Sequence, residues 1–265
     1  GIRVDRWFRR HYPELKHGRL EKLLRTGQVR VNGGRVKAST RLEAGQIVRI
    51  PPLGTVTREA QEDLYKGLSD NDRGWIRSLV LHTDNDLIVI NKPPGTAVQG
   101  GSGITQHIDN LLPGLVADGQ ERPKLVHRLD RDTSGVLLIA RRASVAAKLG
   151  EVFRGREAEK TYWAIVVGIP SPRKGTINDA LTKIAGRRGY EKMVSDMKIG
   201  KSAITDYSVV DTAGRKASWL SLKPRTGRTH QLRVHCARMG TPIFGDRKYG
   251  GREADLPGAP HLHSL

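Results

Sequence analysis

Apolar residues at the start of the chain recur at the spacing of an α-helix. One helical pattern begins at Val4 and runs into the segment RHYP. A second follows in RLEKLLRTG, where three leucines share one face and Gly27 supplies a stop signal. The sequence therefore predicts two short helices within the first 27 residues.

The pattern then changes to the two-residue alternation of β-strands. QVRVNGGRV alternates apolar and polar residues around Asn32-Gly33-Gly34, and RLEAGQIVRI supplies another turn and strand. Asn and Gly tolerate the positive φ angles that tight hairpin turns need, so this stretch predicts a β-hairpin. Together with the two helices, it indicates a separate small module over residues 1–52.

Beyond this module, residues 53–78 are polar and poorly periodic and predict a linker, with room for one short helix. Short apolar runs then dominate, and strands are predicted at LIVI, VLLIA, TYWAIVVG, TDYSVVD and SWLSLKP. Helices are predicted at VAAKLGEVFR and after Thr229, an expected N-cap, up to Gly240. Without regular βαβ spacing, this order predicts an α+β domain over residues 79–265 with a mixed, largely antiparallel sheet.

Positive charge is the strongest feature of the composition. The chain has 46 Lys and Arg against 27 Asp and Glu, a net charge of +19, which favours a polyanionic partner such as RNA. Residues 1–50 alone hold thirteen Lys and Arg against four acidic residues. We expect contacts to a nucleic acid, RNA or DNA, from basic side chains of this module, namely Arg19, Lys22, Arg25, Arg35 and Lys37.

Other features of the composition argue against membrane and metal chemistry. No apolar run approaches the roughly 18 residues of a membrane span, and no signal-peptide pattern is present. The single cysteine, Cys236, favours a reducing, cytoplasmic compartment and is expected to be a small buried apolar residue. The nine histidines lack the spacing of a zinc helix, so we expect no metal site.

Two aspartates, two arginines and a histidine stand directly before an apolar run in VHRLDRDTSGVLLIA, residues 126–140. This stretch fits the opening of a calcium-binding EF-hand loop. Where such a loop needs a bidentate Glu, however, the chain has Arg141, whose charge repels calcium. A polar turn before a buried strand, without further function, is the simpler alternative.

Asp130 is the candidate for chemistry in this stretch. Arg128 lies two residues before it, so the two side chains share a face if the segment is extended. An aspartate held ionised beside an arginine suits a nucleophile or an electrostatic stabiliser better than a general acid. Asp132 is expected to play a structural part in the turn.

HRLDRDTSG followed by a strand resembles the signature of the RluA-type pseudouridine synthases, which modify RNA in bacteria and organelles. Four further stretches are similar to motifs of that family in the same order, namely INKPPG (90–95), EKTYWAIVVG (159–168), GRTHQLRVH (227–235) and GDRKYG (245–250). The N-terminal module resembles the α-L (S-four) RNA-binding domain often fused ahead of these enzymes. Within the family, the chain most resembles the large-subunit ribosomal RNA enzymes of the RluC and RluD branches.

The resemblance implies a role for each matching residue. Asp130 matches the aspartate that attacks or stabilises the uridine while the glycosidic bond breaks, and Tyr162 matches the tyrosine that stacks on the target base. Arg228 matches the arginine that pairs with the aspartate. Arg128 matches the arginine that enters the base stack when the nucleotide flips out, and Leu232 matches an apolar residue near the uracil. No cofactor is expected, because isomerisation exchanges no atoms with one.

The resemblance therefore implies an enzyme that converts specific uridines to pseudouridine, above all in 23S ribosomal RNA. Its oligomeric state stays open, with a monomer as the default expectation. A transfer-RNA substrate and a non-catalytic RNA-binding or ribosome-assembly protein stay open as alternatives. An RNA hydrolase that uses the histidines is a weaker one. Because family catalytic domains continue past the point where this chain stops, the C-terminal edge of the domain is expected to be incomplete.

Overall fold

The computed structural model describes residues 1–12, 15, 17–52, 68–100, 104, 106–117, 120–155, 157–185, 191–254 and 262–265. The chain divides into two compact units, residues 1–67 (unit 1) and 68–265 (unit 2). Among the described helices, none combines the length and the apolar character that a membrane span requires.

Unit 1 consists, in its described part, of two helices and five very short strands. Helices α1 (Val4–His11) and α2 (His17–Arg25) bury the apolar faces predicted from the sequence, including Phe8 and the three leucines of α2. The strands are β1 (Ile2–Arg3), β2 (Arg30–Val31), β3 (Gly34–Arg35), β4 (Arg41–Leu42) and β5 (Val48–Arg49). β1 pairs with β4, and β2 lies between β3 and β5.

The turn between β2 and β3 confirms the predicted hairpin. Asn32 and Gly33 both have positive φ, +47° and +78°, which matches the backbone of a tight hairpin turn. The Asn32 side chain also accepts a hydrogen bond from the backbone N–H of Ile47, at 2.8 Å, and so ties the turn to the next segment. The assignment of unit 1 as an α-L domain stays a prediction.

Unit 2 is built on one ten-stranded sheet. Its strands are β6 (Val80–Thr83), β7 (Leu87–Lys92), β8 (Lys124–Leu125), β9 (Ser134–Ala140), β10 (Tyr162–Val167), β11 (Lys174–Ala185), β12 (Glu191–Ser195), β13 (Lys201–Ala213), β14 (Ala217–Pro224) and β15 (Leu262–Ser264). The order is β12-β11-β13-β14-β10-β15-β9-β7-β6, with β8 also paired to β9. The pairing of β15 with β9 is parallel and the other described pairs are antiparallel, which confirms the predicted mixed, largely antiparallel α+β fold.

Four described helices pack around this sheet, namely α3 (Asp70–Ser78), α4 (Ile108–Leu111), α5 (Ala143–Gly155) and α6 (Gln231–Arg238). One core cluster joins α3 and α4 to β7 and β9 through isoleucines and leucines that are almost fully buried. A second joins α6 to β10 and β14 and includes Cys236, which is buried as expected. The two clusters lie beside the two halves of the sheet that meet at β15.

Helix α3 falls within the segment that the sequence predicted as a linker. The hydroxyl of Ser69 accepts a hydrogen bond from the backbone N–H of Asp72 and caps the helix, and Ile76 is fully buried in the core of unit 2. The sequence allowed for one short helix in this segment, and α3 is such a helix. Residues 53–67, the rest of the predicted linker, lie outside the described part of the chain.

Candidate active site

A cleft of about 370 Å³ lies in unit 2 where β9 and β10 flank β15. Its walls come mainly from three segments, namely the turn before β9, the start of β10, and the loop that leads into α6, and residues of α5 and β15 complete them. The structure thereby brings together all five residues for which the sequence predicted a role in unit 2, namely Arg128, Asp130, Tyr162, Arg228 and Leu232.

The turn that carries Asp130 is fixed at both ends. Nε2 of His127 accepts a hydrogen bond from the backbone N–H of Leu138 on β9, at 2.9 Å, and its ring stacks on Phe153 of α5 with 4.7 Å between centroids. At the other end, the backbone N–H of Thr133 donates to the carbonyl of Asp130, at 3.2 Å. The charged stretch before the apolar strand is therefore a rigid cleft wall, rather than a solvated turn without function.

Lys92, the lysine of INKPPG, fixes this turn through hydrogen bonds of its side chain. Its side chain is completely buried, and Nζ donates to the carbonyls of Pro93, Thr96 and Arg131 at 2.7, 2.8 and 2.9 Å. Burial lowers the pKa of Lys92 to about 8, although the charges of Asp132 and Asp130 act in the opposite direction. The ammonium thus joins the loop after β7 to the peptide directly beside Asp130.

Tyr162 begins β10 and faces the cleft from the opposite side. It pairs with Ser264 on β15, and Ser264 also pairs with Gly135 on β9. Burial raises the pKa of Tyr162, a hydrogen bond with Ser264 lowers it, and the negative charge of Asp130 raises it again. The tyrosine therefore stays protonated and offers a half-buried ring beside the carboxylate.

The loop before α6 is held by Gln231. Its amide oxygen accepts hydrogen bonds from the Thr226 hydroxyl and the backbone N–H of Arg228, at 2.7 and 3.0 Å. Its amide nitrogen donates to the carbonyl of Ile204 and the hydroxyl of Thr205, both at 3.0 Å. This buried glutamine uses its full hydrogen-bonding capacity and locks the GRTHQ segment against β13.

The predicted N-cap of α6, Thr229, is wrong. The helix begins at Gln231, and the N-cap is His230, whose backbone is left-handed (φ 53°, ψ 20°) and whose side chain makes no capping hydrogen bond. The end of the helix is as predicted, with Gly240 at φ +76°. Because Gln231 fixes the loop, the chain must turn sharply at residue 230, and this turn directs the His230 ring into the cleft.

The predicted pairing of Arg228 with Asp130 is not what the structure contains. Nε of Arg228 donates to the carbonyl of Ser202, at 3.0 Å, at the edge of the cleft. Two buried cations interact electrostatically with Asp130 instead, namely Lys92 and, one turn further along the motif than Arg228, Arg233. Sequence spacing could not decide between the two arginines, because the left-handed residue at 230 lies between them.

Arg233 is buried and forms a bidentate ion pair with Asp246 of GDRKYG. Its Nε and Nη2 donate to the two carboxylate oxygens, at 2.8 and 2.7 Å. Burial lowers the pKa of Arg233, but the hydrogen bonds and charge of Asp246, together with the charges of Asp130 and Asp132, outweigh it and raise the pKa. A permanent positive charge therefore lies close to the Asp130 carboxylate.

The nearest ionisable nitrogen to Asp130 in the described part of the chain belongs to His230. Nε2 of His230 lies 3.9 Å from Oδ2 of Asp130, and each side chain is 20% exposed. Arg128 is exposed at the mouth of the cleft, and Leu232 is buried in its wall. In unit 1, the five predicted RNA-contacting residues, Arg19, Lys22, Arg25, Arg35 and Lys37, all have exposed side chains.

Five residues of this site carried no prediction from the sequence, namely Lys92, His230, Arg233, Asp246 and Tyr249. All five lie in stretches whose family resemblance was noted. Arg233 and Asp246 could have been found from the pairing of opposite charges between two such stretches, since a buried cation is usually paired with a buried anion.

Known proteins share these features of the chain. Residues 86–238 match the sequence profile of the RNA pseudouridylate synthase family. The Arabidopsis thaliana protein named RNA pseudouridine synthase 4, mitochondrial, is 37% identical over 92% of this chain and 59% of its own length. Ribosomal large subunit pseudouridine synthase C of Rickettsia bellii is 37% identical over 94% of this chain and 82% of its own length.

A solved structure agrees with these sequence similarities. Human RNA Pseudouridylate Synthase Domain Containing 4 superposes with a TM-score of 0.62 at 30% identity, covering 74% of this chain and 87% of that one. The chain belongs to the RNA pseudouridylate synthase family. It is a pseudouridine synthase, an enzyme that isomerises uridine within RNA.

Proposed function

We propose that the chain converts specific uridines of large-subunit ribosomal RNA to pseudouridine, with Asp130 as the nucleophile. The observation that supports this most is the surroundings of Asp130 in the cleft. A carboxylate lies beside a tyrosine ring and a buried arginine, on a turn that Lys92 and His127 hold rigid. Fixed charges in a partly desolvated site favour a reaction in which charge develops and then disappears.

In the proposed reaction, the bond between N1 of uracil and C1′ of the ribose breaks while Asp130 attacks or stabilises the reacting nucleotide. The uracil then rotates, C5 bonds to C1′, C5 loses its proton and N1 gains one, so that no atom leaves the nucleotide except by proton exchange. Tyr162 stacks on the base and keeps it in the cleft during rotation. We assign to buried Arg233, rather than to Arg228, the positive charge that interacts with the Asp130 carboxylate.

The target base must leave its stack before it can enter the cleft, at a cost of a few kcal/mol. Arg128 is suited to fill the gap in the RNA, because its guanidinium is exposed at the mouth of the cleft and stacks well on bases. Leu232 gives the cleft an apolar wall for the uracil ring. The basic side chains of unit 1 add phosphate contacts that a large folded RNA offers.

Large-subunit ribosomal RNA is proposed because several relatives carry that substrate in their names. Transfer RNA is the second candidate, since the cleft itself recognises a flipped uridine and not a particular RNA. A monomer in the cytoplasm is part of the proposal. Light scattering of the purified protein and fractionation of the source cell test these two points, and the mitochondrial name of one relative makes the second worth doing.

The decisive experiment maps pseudouridine by carbodiimide adducts and primer extension on 23S ribosomal RNA from a strain that lacks the gene. The same strain is complemented with wild type or with Asp130→Asn. We expect stops that vanish in the deletion strain and return with wild type only, while the variant still binds RNA. Because Asn is isosteric with Asp, a stable variant without activity indicates chemistry rather than folding.

The alternatives give different outcomes in the same experiment. An unchanged ribosomal RNA map with a changed transfer-RNA map would show that the reaction is as proposed but that transfer RNA is its substrate. Activity retained by Asp130→Asn would contradict the proposed nucleophile. Unchanged maps of both RNAs would favour a non-catalytic RNA-binding protein.

A further inference from the structure

His230 and Tyr249 form a contact that none of the roles above uses. Nδ1 of His230 lies 2.7 Å from the hydroxyl oxygen of Tyr249, and Nε2 of the same ring lies 3.9 Å from Oδ2 of Asp130. The imidazole therefore stands between a tyrosine hydroxyl and the proposed nucleophile. A neutral histidine carries a proton on only one of its two ring nitrogens. The hydrogen bond at Nδ1 therefore determines whether Nε2 carries that proton.

The hydrogen bonds of Tyr249 indicate which nitrogen carries that proton. The Tyr249 hydroxyl oxygen accepts a hydrogen bond from the backbone N–H of Met193 on β12, at 3.1 Å. Its own proton can then be donated to Nδ1 of His230, which leaves the ring proton on Nε2, facing Asp130. The distance of 3.9 Å exceeds a direct hydrogen bond, but catalytic contacts are often long before substrate binds and shorten in the complex.

Both residues are held in this arrangement by their surroundings. The backbone of His230 is left-handed, a strained conformation for a residue other than glycine and one that clusters at functional sites. The ring of Tyr249 packs against two cations, with the Arg233 guanidinium 5.2 Å and the Lys192 ammonium 5.3 Å from its centroid. The hydroxyl therefore has little freedom to turn away from the imidazole.

Burial is the main reason why the His230 ring is neutral. Burial lowers its pKa, Arg233 and Lys248 lower it further, and Asp130 and Asp246 raise it. The net effect is a lowered pKa, so the ring is uncharged at neutral pH and its tautomer is what matters.

We propose that Tyr249 is a positioning residue that fixes the Nε2–H tautomer of His230, and that this N–H aims the Asp130 carboxylate at the target nucleotide. The inference rests on the proposed function, because it acts through Asp130. It also gives the GDRKYG segment a second task. Asp246 binds Arg233, the cationic neighbour of Asp130, and Tyr249 orients His230, the neutral neighbour.

Tyr249→Phe removes the hydroxyl and keeps the ring. We expect kcat for pseudouridine formation to fall about tenfold, equivalent to about 1.4 kcal/mol, while KM for RNA stays unchanged. Tyr207→Phe is the matched control, because the Tyr207 hydroxyl also donates one hydrogen bond, to the carbonyl of Pro172 at 3.0 Å, and does not line the cleft. Its kcat should equal that of wild type. A wild-type kcat in Tyr249→Phe would overturn the inference.

Nitrogen-15 NMR of the histidine side chains tests the tautomer without any substrate. The His230 signals are assigned by their loss in His230→Gln. They should show the proton on Nε2 in wild type and a shift of population towards Nδ1 in Tyr249→Phe. A wild-type ring protonated on Nδ1 overturns the inference even in an active enzyme. Failure of the proposed function has a different signature, which is wild-type protein that forms no pseudouridine on any RNA.

Discussion

The guanidinium of Arg233 has two of its three nitrogens occupied by Asp246, which leaves Nη1 for the cleft. This fork geometry fixes the direction of the positive charge as well as its presence. A lysine at the same place would keep the charge but could not satisfy both carboxylate oxygens from one planar group. At the scale of single residues, the site therefore depends on shape in addition to charge.

Arg233→Lys is expected to lower the rate of pseudouridine formation by about a hundredfold, since it displaces the charge beside Asp130, and to destabilise the fold by about 2 kcal/mol. Single-turnover kinetics on an RNA transcript and chemical denaturation measure the two effects. Arg225→Lys is the control, because Arg225 makes a similar two-point contact with Asp206 at 2.6 and 2.9 Å on the exposed side of the sheet. Equal rates in the two variants would contradict the role given to Arg233.

His127 makes the stability of the fold sensitive to acid. Burial, with a further contribution from Lys160, lowers its pKa from 6.5 to about 4, because Nε2 must stay unprotonated to accept the N–H of Leu138. As the pH falls from 6.5 towards 4, the unfolded chain binds a proton there and the folded chain does not. The stability provided by neutral His127 is present above pH 6.5 and is lost across this range.

Wild type should therefore lose up to about 3 kcal/mol of unfolding free energy through His127 in this range. His127→Gln keeps an acceptor for Leu138 but cannot be protonated, so its stability should depend less steeply on pH. Urea denaturation at several pH values measures the difference. His82→Gln, which changes an exposed histidine, should retain the wild-type slope. An equally steep slope in His127→Gln would count against this account.

These residues mark the limit of what the sequence could predict. Asp130, Tyr162, Leu232 and Arg128 could be given roles because each lies in a stretch that resembles the family, and the structure brings them together in one cleft. Arg228 was given a pairing that the structure does not contain. The direction of an arginine depends on the backbone before it, and a left-handed histidine is rarely expected from sequence.

At the scale of elements, β15 lies between β9, which follows the turn of Asp130, and β10, which begins at Tyr162. Ser264 pairs with Tyr162 on β10 and with Gly135 on β9, so one short strand sets the spacing between the aromatic and the carboxylate walls. The strands around it could be predicted from apolar runs. The insertion of β15 between them could not, because a three-residue strand gives little pattern and its partners lie far away in the sequence.

Gly135 makes this insertion possible. Its φ is +107°, and a Cβ there would lie 2.6 Å from the backbone nitrogen of Ser264 and even closer to its carbonyl oxygen. Gly135→Ala should therefore destabilise the protein by about 3 kcal/mol and lower activity, because β15 must move. Gly74→Ala in α3 is the matched control. A Cβ at residue 74 meets no atom within 4 Å, and thermal unfolding should show a gain of up to about 1 kcal/mol. An unchanged unfolding free energy in Gly135→Ala would contradict the close approach between Gly135 and Ser264.

At the scale of the whole molecule, charge and chemistry are distributed unequally. Unit 1 holds a large part of the excess positive charge in its first 50 residues, and the cleft lies entirely in unit 2. Substitutions in unit 1 should therefore change the affinity for RNA without changing the rate of the reaction in the cleft. Contacts to phosphate release counterions, so their number is measured by the dependence of binding on salt.

Replacing Lys22, Arg25 and Lys37 together by Gln should weaken RNA binding and reduce the slope of log affinity against log salt by about 2. The single-turnover rate at saturating enzyme should stay unchanged, because no residue of the cleft is altered. A variant with Arg at residues 22 and 37 and Lys at residue 25 keeps the charge and should keep the slope. An unchanged salt dependence of binding in the Gln variant would show that these side chains of unit 1 do not contact RNA.

The position of β15 also has a consequence for biosynthesis. Ser134, at the start of β9, contacts His263 on β15 across 129 positions of sequence, and contacts of such long range form late in folding. Until residues 262–264 have left the ribosome, β9 and β10 have no strand between them, and Asp130 and Tyr162 belong to separate halves of the sheet. The native spacing of the two strands that flank the cleft is therefore reached only once β15 has paired with both of them.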